Sequence, residues 1–130
     1  MEHLEHLNET WEMLRELLTE KGMLIVAVPN CSSYDAGRYG EYWAAYDVPR
    51  HLWHFTPVTI QQLASRHGFI MAARHPMPFD AFYVSMLSEK HRGSSCSFLK
   101  GMYAGTLAWF STLGRKERSS SMIYVFRKKR

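Results

Sequence analysis

Leu17-Leu18-Thr19-Glu20-Lys21-Gly22-Met23-Leu24-Ile25-Val26-Ala27-Val28-Pro29-Asn30 is the stretch that decides the fold. Its first part ends a helix. Asn8 reads as the N-cap, acids follow in the first turn, and Trp11, Leu14, Leu17 and Leu18 recur at helical spacing. Lys21-Gly22 supplies a cation and a C′ glycine, the expected close of that helix. Met23 to Val28 is then a short, uninterrupted apolar run stopped by Pro29-Asn30, the pattern of a strand buried on both faces. A helix running directly into such a strand marks an α/β domain.

Beyond Asn30 the periodicity stops. Cys31 to Tyr46 mixes Ser32, Ser33, Gly37 and Gly40 with Tyr34, Tyr39, Tyr42, Trp43 and Tyr46. A long irregular segment in a compact domain is usually a functional or lid loop. Its aromatics either cover something flat or apolar, or pack as a small satellite core. Asp47-Val48-Pro49-Arg50-His51-Leu52-Trp53-His54-Phe55 then concentrates an acid, a base, two histidines and two aromatics. Pro49 keeps Val48 out of the helical region and fixes its own φ, so these groups sit on extended or turn backbone. The stretch is either a site held by regular structure at both ends, or a connector in which Asp47 and Arg50 pair locally.

Thr56-Pro57 is an N-cap followed by proline at N1, and Ile60, Leu63 and Ala64 continue a short helix closed by His67-Gly68. Phe69 to Ala73 reads as a second strand ended by the prolines at 76 and 78. Asp80 is the expected cap of a helix through Phe82, Tyr83, Met86 and Leu87, and Gly93-Ser94-Ser95 breaks it. A further helix runs from about Phe98 to Leu113 and is apolar almost all round, with Gly101-xxx-Gly105 placed for close helix packing. Ser121 to Phe126 is the last strand, ahead of the basic tail Arg127 to Arg130.

At 130 residues, 46% hydrophobic and 22% charged, the chain has the length and composition of one globular domain with a real core, spanning 1–130. Cys31 and Cys96 are far apart and lack the partners of a disulfide framework or zinc site, which fits a reducing cytosol. No leader is expected from the acidic start (Glu2, Glu5, Glu9, Glu12), and no apolar run reaches the roughly 18 residues of a membrane span. The net charge of +4 gathers near the C-terminus. Without a nucleic-acid motif beside it, a solvated tail is favoured over a nucleic-acid partner.

Single motifs name no reaction. His51 and His54 form HxxH, and Glu2, Glu5 and His6 form ExxEH, but neither is HExxH, and there is no GxSxG, P-loop or GxGxxG. His67, near a helix C-terminus, compensates the dipole, and His75 and His91 read as surface. Their order says more. Glu2-His3-Leu4-Glu5-His6-Leu7, a helix, and then Leu17 to Asn30 resemble the second half of a class I S-adenosylmethionine-dependent methyltransferase. Downstream, Gly40-x-x-Trp43-x-x-x-Asp47-x-Pro49-Arg50-His51-Leu52-x-x-Phe55-Thr56-x-x-Thr59-x-x-x-Leu63 and His67-Gly68-Phe69 are similar to a subgroup related to the ubiquinone-biosynthesis O-methyltransferases.

The resemblance implies a partial Rossmann-like sheet. In the family order 3-2-1-4-5-7-6, Met23–Val28 would be strand five, Phe69–Ala73 strand six and Ser121–Phe126 the antiparallel strand seven. The first strands, with the glycine-rich turn and ribose-binding acid for S-adenosylmethionine, would be missing, leaving an acceptor-side portion inactive alone. It also implies a divalent cation (Mg²⁺, Mn²⁺ or Zn²⁺) at Glu2, Glu5 and His6, able to acidify an acceptor hydroxyl. The segment after strand five would lie at the carboxyl edge of the sheet. His51 or His54 would there be the general base, oriented by Asp47, with Arg50 holding an acidic group and Trp43 and Tyr46 walling a small-molecule methyl acceptor. The apolar helices between Asp80 and Leu113 would cap an apolar acceptor, touch a membrane surface or pack on the sheet. A reading of another class is a non-catalytic interaction module that dimerises through the open strand edge at Met23–Val28.

Overall fold

A computed structural model describes residues 1–129; Arg130, the last residue of the basic tail, lies outside the described residues. The sheet is three-stranded, in the order β1-β3-β2, from β1 (Leu24–Pro29), β2 (Phe69–Met77) and β3 (Ser121–Lys128). Central β3 is antiparallel to both neighbours, with Val26 opposite Tyr124 and Arg74 also opposite Tyr124.

Helices α1 (Leu7–Leu17) and α3 (Pro57–Arg66) contribute to the main core. Leu7 and Trp11 meet Ile60 and Ala64 there, together with Val26, Val28, Phe69, Met122, Tyr124 and Phe126 from the strands. The Trp11 ring stands edge-on to Phe69 and Phe126, at 5.4 and 5.5 Å between centroids. Such contacts add to the area each ring removes from water.

Local chemistry departs from expectation at several points. Helix α1 starts one residue before Asn8, with His6 as a cap that offers no side-chain bond. Asn8 Oδ1 instead accepts from His67 Nε2 at 3.0 Å. The helix ends at Leu17, short of Lys21-Gly22, because Leu18 turns extended and a Thr19–Gly22 turn follows, closed by Gly22 N–H donating to Thr19 O. A Cβ at Gly22 would sit 2.7 Å from Leu18 Cγ, so the glycine makes room for the leucine folded beneath it. Strand β1 is buried on one face only: Val26 and Val28 point inward while Ile25 is 65% exposed. It is an edge strand, and the resemblance to a doubly covered strand misled because both faces carry apolar side chains. Strand β2 runs through Pro76, which an edge strand tolerates because its missing N–H costs no ladder bond.

The segment from Cys31 to Tyr46 is ordered. Ser33 caps α2 (Tyr34–Tyr39), its Oγ accepting from Ala36 N–H, and two short 3₁₀ turns follow at Gly40–Tyr42 and Ala44–Tyr46. Tyr39, Trp43 and Ala44 pack with Val84 and Ala104. These two belong to the helices α4 (Asp80–His91) and α5 (Ser97–Gly114). Of the two readings of these aromatics, the satellite core is the one observed for Tyr39 and Trp43. Asp80 does not cap α4; its carboxylate accepts from the Ser121 hydroxyl and ties the helix start to β3. Among the described residues no helix is long and apolar enough to cross a membrane.

Candidate functional site

Strand β1 ends in Pro29-Asn30, and Asn30 fixes what comes next. Its buried amide donates to Glu117 O and Ser119 O at 2.7 and 2.9 Å, while its Oδ1 accepts from Ser32 N–H and Ser32 Oγ. Cys31 N–H donates to Phe55 O, so the far end of the 47–55 stretch is stitched to the end of β1. At the near end Asp47 adopts φ 42°, a left-handed conformation that Asp tolerates better than most residues, and reverses the chain out of the second 3₁₀ turn. The Val48–Pro49 peptide is cis.

A cavity of about 520 Å³ opens between this stretch and α4. Pro29, Asp47, Arg50 and His51 line one side, and Asp80, Tyr83 and His91 the other. It therefore lies at the carboxyl end of β1, where open α/β sheets bind ligands. His51 is the best positioned of the residues picked out by sequence. Its Nδ1 lies 2.8 Å from Ala45 O, and a carbonyl can only accept, so Nδ1 carries the proton and the lone pair of the neutral ring belongs to Nε2. Nε2 stands 3.9 Å from Asp47 Oδ2 and 4.0 Å from Glu2 Oε1. Asp47 Oδ1 also accepts from Arg50 Nε and NH2, at 3.1 and 2.6 Å. The local Asp47–Arg50 pair anticipated for a connector is present inside the cavity wall.

The other expected residues are dispersed. His54 is absent from the cavity lining; its Nε2–H donates to Tyr46 O at 3.0 Å, and its ring stands edge-on to Tyr46. Trp43 is 1% exposed, with Nε1–H donating to the buried Asp35 carboxylate at 2.8 Å, so it faces the small core rather than the cavity. Tyr46 packs edge-on against Trp43 at 5.0 Å. Glu2, Glu5 and His6 do not converge. Glu5 and His6 are exposed, and His6 Nδ1 lies 3.8 Å from Glu9 instead. The set of three does not fit one cation.

Glu2 does converge with two other residues. Ligand atoms of Glu2, His3 and His51 lie within 4.8 Å of one another. His3 Nδ1–H donates to Arg50 O at 3.1 Å, leaving Nε2 facing Glu2 Oε1 at 3.8 Å. Both imidazoles thus have Nδ1 held by a backbone carbonyl and Nε2 turned to one carboxylate, the orientation that metal-bound histidines adopt. Residues 2–4 are pinned there: Leu52 and Trp53 N–H both donate to Glu2 O, and Trp53 Nε1–H to Leu4 O. Burial raises the Glu2 carboxyl pKa, but hydrogen bonds from its own N–H and the N-terminal ammonium, with His3 nearby, outweigh it and hold the pKa below the ordinary range. Asp80, Tyr83 and His91 of α4, which line the cavity, and His3, which joins Glu2 and His51, were missed as site residues because each lies far along the chain from the residues it meets.

No family model and no curated protein matches the chain. Among solved structures, it is similar to a provisionally assigned sarcosine dimethylglycine methyltransferase from Galdieria sulphuraria, with a TM-score of 0.52 at 13% identity. The match covers 98% of this chain and 49% of that one, so the chain spans about half its length. At that identity the likeness is one of fold: this α/β unit shares its architecture with part of a methyltransferase.

Proposed function

We propose that the chain is the acceptor-side portion of an S-adenosylmethionine-dependent methyltransferase, with β1, β3 and β2 standing as strands five, seven and six. The observation that carries the reading is His51. It has a fixed tautomer, a free Nε2 beside two carboxylates, and a cavity of small-molecule size in front of it. Similarity of fold to part of a methyltransferase supports it. His51 Nε2 takes the proton from an acceptor hydroxyl or amine, Asp47 and Glu2 stabilise the resulting imidazolium, and Arg50 meets an acidic group on the acceptor. The glycine-rich turn of the family follows its first strand, which is not among the three assigned here, and the sequence contains no GxGxxG. Donor binding is assigned to sequence outside this chain, and the chain alone is inactive.

A divalent cation, if the parent enzyme uses one, would be held here by Glu2, His3 and His51. Base and ligand roles exclude one another at a single Nε2. Two measurements test the reading, and the second separates these roles. Calorimetric titration of the 130-residue chain with S-adenosylhomocysteine should show no binding; micromolar binding would refute the assignment of the donor site elsewhere. Titration with Mn²⁺ or Zn²⁺ should show binding lost in His3→Ala if the cluster is a metal site, and none if His51 is the base.

A second reading rests on the β1 edge. Among the described residues β1 pairs only with β3, and exposed Ile25 lies beside its unpaired edge. Such an edge recruits another strand, from a second copy or from the rest of a larger sheet. Light scattering that finds a strict monomer would remove the second-copy form.

A further inference from the structure

Helix α5 is packed inside out. Its buried stripe is Gly101, Ala104, Gly105, Ala108 and Thr112, while Phe98, Leu99, Tyr103, Phe110 and Leu113 are each more than half exposed. At about 3.6 residues per turn the large residues form one arc opposite the stripe. The reason lies in α4. A Cβ at Gly101 would stand 2.5 Å from Met86 Cα, and one at Gly105 2.8 Å from Phe82 Cα, so the helices touch backbone to backbone and have no room for large side chains between them. Small residues inward and bulky apolar ones outward is how helices pack when lipid is the solvent. Among the described residues no helix is long and apolar enough to cross a membrane, and a helix with an exposed apolar face that does not cross a bilayer meets it lying along its surface.

The charges around the arc say what covers it. Lys100 is the only charged residue between Ser97 and Gly114. Beside Tyr103, a cavity of about 590 Å³ is lined by Arg38, Arg92 and Lys100, with Glu89 already bonded to Tyr39 and Ser94. At the other end, a cavity of about 650 Å³ is lined by Arg74, Arg115, Lys116 and Arg118, with Glu117 paired to Arg74. Both ends of the apolar arc are therefore net positive. Two such faces brought together, parallel or antiparallel, set cations against cations, which disfavours a second copy as the occupant. Anionic headgroups neutralise both ends at once.

We propose that the outward face of α5 is an interfacial docking surface for an anionic bilayer, its apolar arc at the headgroup–acyl boundary and its two basic cavities holding lipid phosphates. The length of the helix, about 27 Å at 1.5 Å per residue, lies flat along that surface.

The test is sedimentation of the 130-residue chain with vesicles of phosphatidylcholine alone and of an equal mixture of phosphatidylcholine and phosphatidylglycerol. Binding should be at least about tenfold tighter to the mixture, and high salt should abolish that preference. Leu99→Ser with Phe110→Ser should lower binding about tenfold or more while leaving the thermal transition in place, since both side chains are exposed. Arg115→Glu with Lys116→Glu should remove the preference for phosphatidylglycerol. Equal affinity for both vesicles, no binding to either, or unchanged binding by the serine pair would overturn the proposal. So would a dimer in light scattering that the serine pair dissolves, which would assign the face to a second copy.

Discussion

Helix α1 turns Leu7 and Trp11 toward the sheet and leaves Glu12, Arg15 and Glu16 in water, whereas α5 turns glycines and alanines inward and leaves Phe98, Leu99, Phe110 and Leu113 outside. The first is the amphipathic arrangement of a water-soluble domain, in which buried area supplies the stability. In the second, close approach of two backbones does more than area, and the apolar area is spent on the outside. Stability is therefore sensitive to opposite changes in the two layers: removing volume in one, adding it in the other.

Three substitutions test that contrast by urea unfolding. Trp11→Ala should cost most, about 3–5 kcal/mol, because the ring is fully buried against two aromatic partners. Gly101→Val should cost about 1–3 kcal/mol by overpacking, since the obstruction is Met86 backbone and cannot swing aside. A Gly101→Val protein as stable as the parent would show that α4 and α5 are held apart in solution. Phe110→Ser should change stability by less than about 0.5 kcal/mol despite deleting a phenylalanine, because that ring contributes little to the fold. A loss as large as at Trp11 would mean the ring is covered within the folded chain.

The sequence carries the element order well. The helix–strand join at Leu17–Asn30, the Thr56-Pro57 start of α3 and the Ser121 start of β3 all follow from periodicity and turn chemistry. What it carries poorly depends on neighbours far along the chain. Trp43 reads as a substrate wall until Asp35 accepts its N–H and Val84 and Ala104 close over its core. Glu2, Glu5 and His6 share a spacing, yet the helix starts only at Leu7, so no helical register places Glu5 and His6 beside Glu2. The partners that Glu2 finds, His3 and His51, are joined by hydrogen bonds from the 50–53 segment that no local pattern encodes. His51 was legible as chemistry, and its tautomer was not, because that depends on the carbonyl of Ala45.

The middle strand of the sheet has one further consequence. Strand β3 is made after both strands it joins, and β1 and β2 do not pair with each other. During synthesis the two outer strands must wait for this shared partner, for some ninety residues in the case of β1, until Ser121–Lys128 has emerged. The buried faces of Val26, Val28 and Phe69 are exposed throughout that interval. Nascent chains arrested before residue 121 should therefore recruit chaperones, and release should follow the emergence of Ser121–Lys128 as one step rather than come gradually.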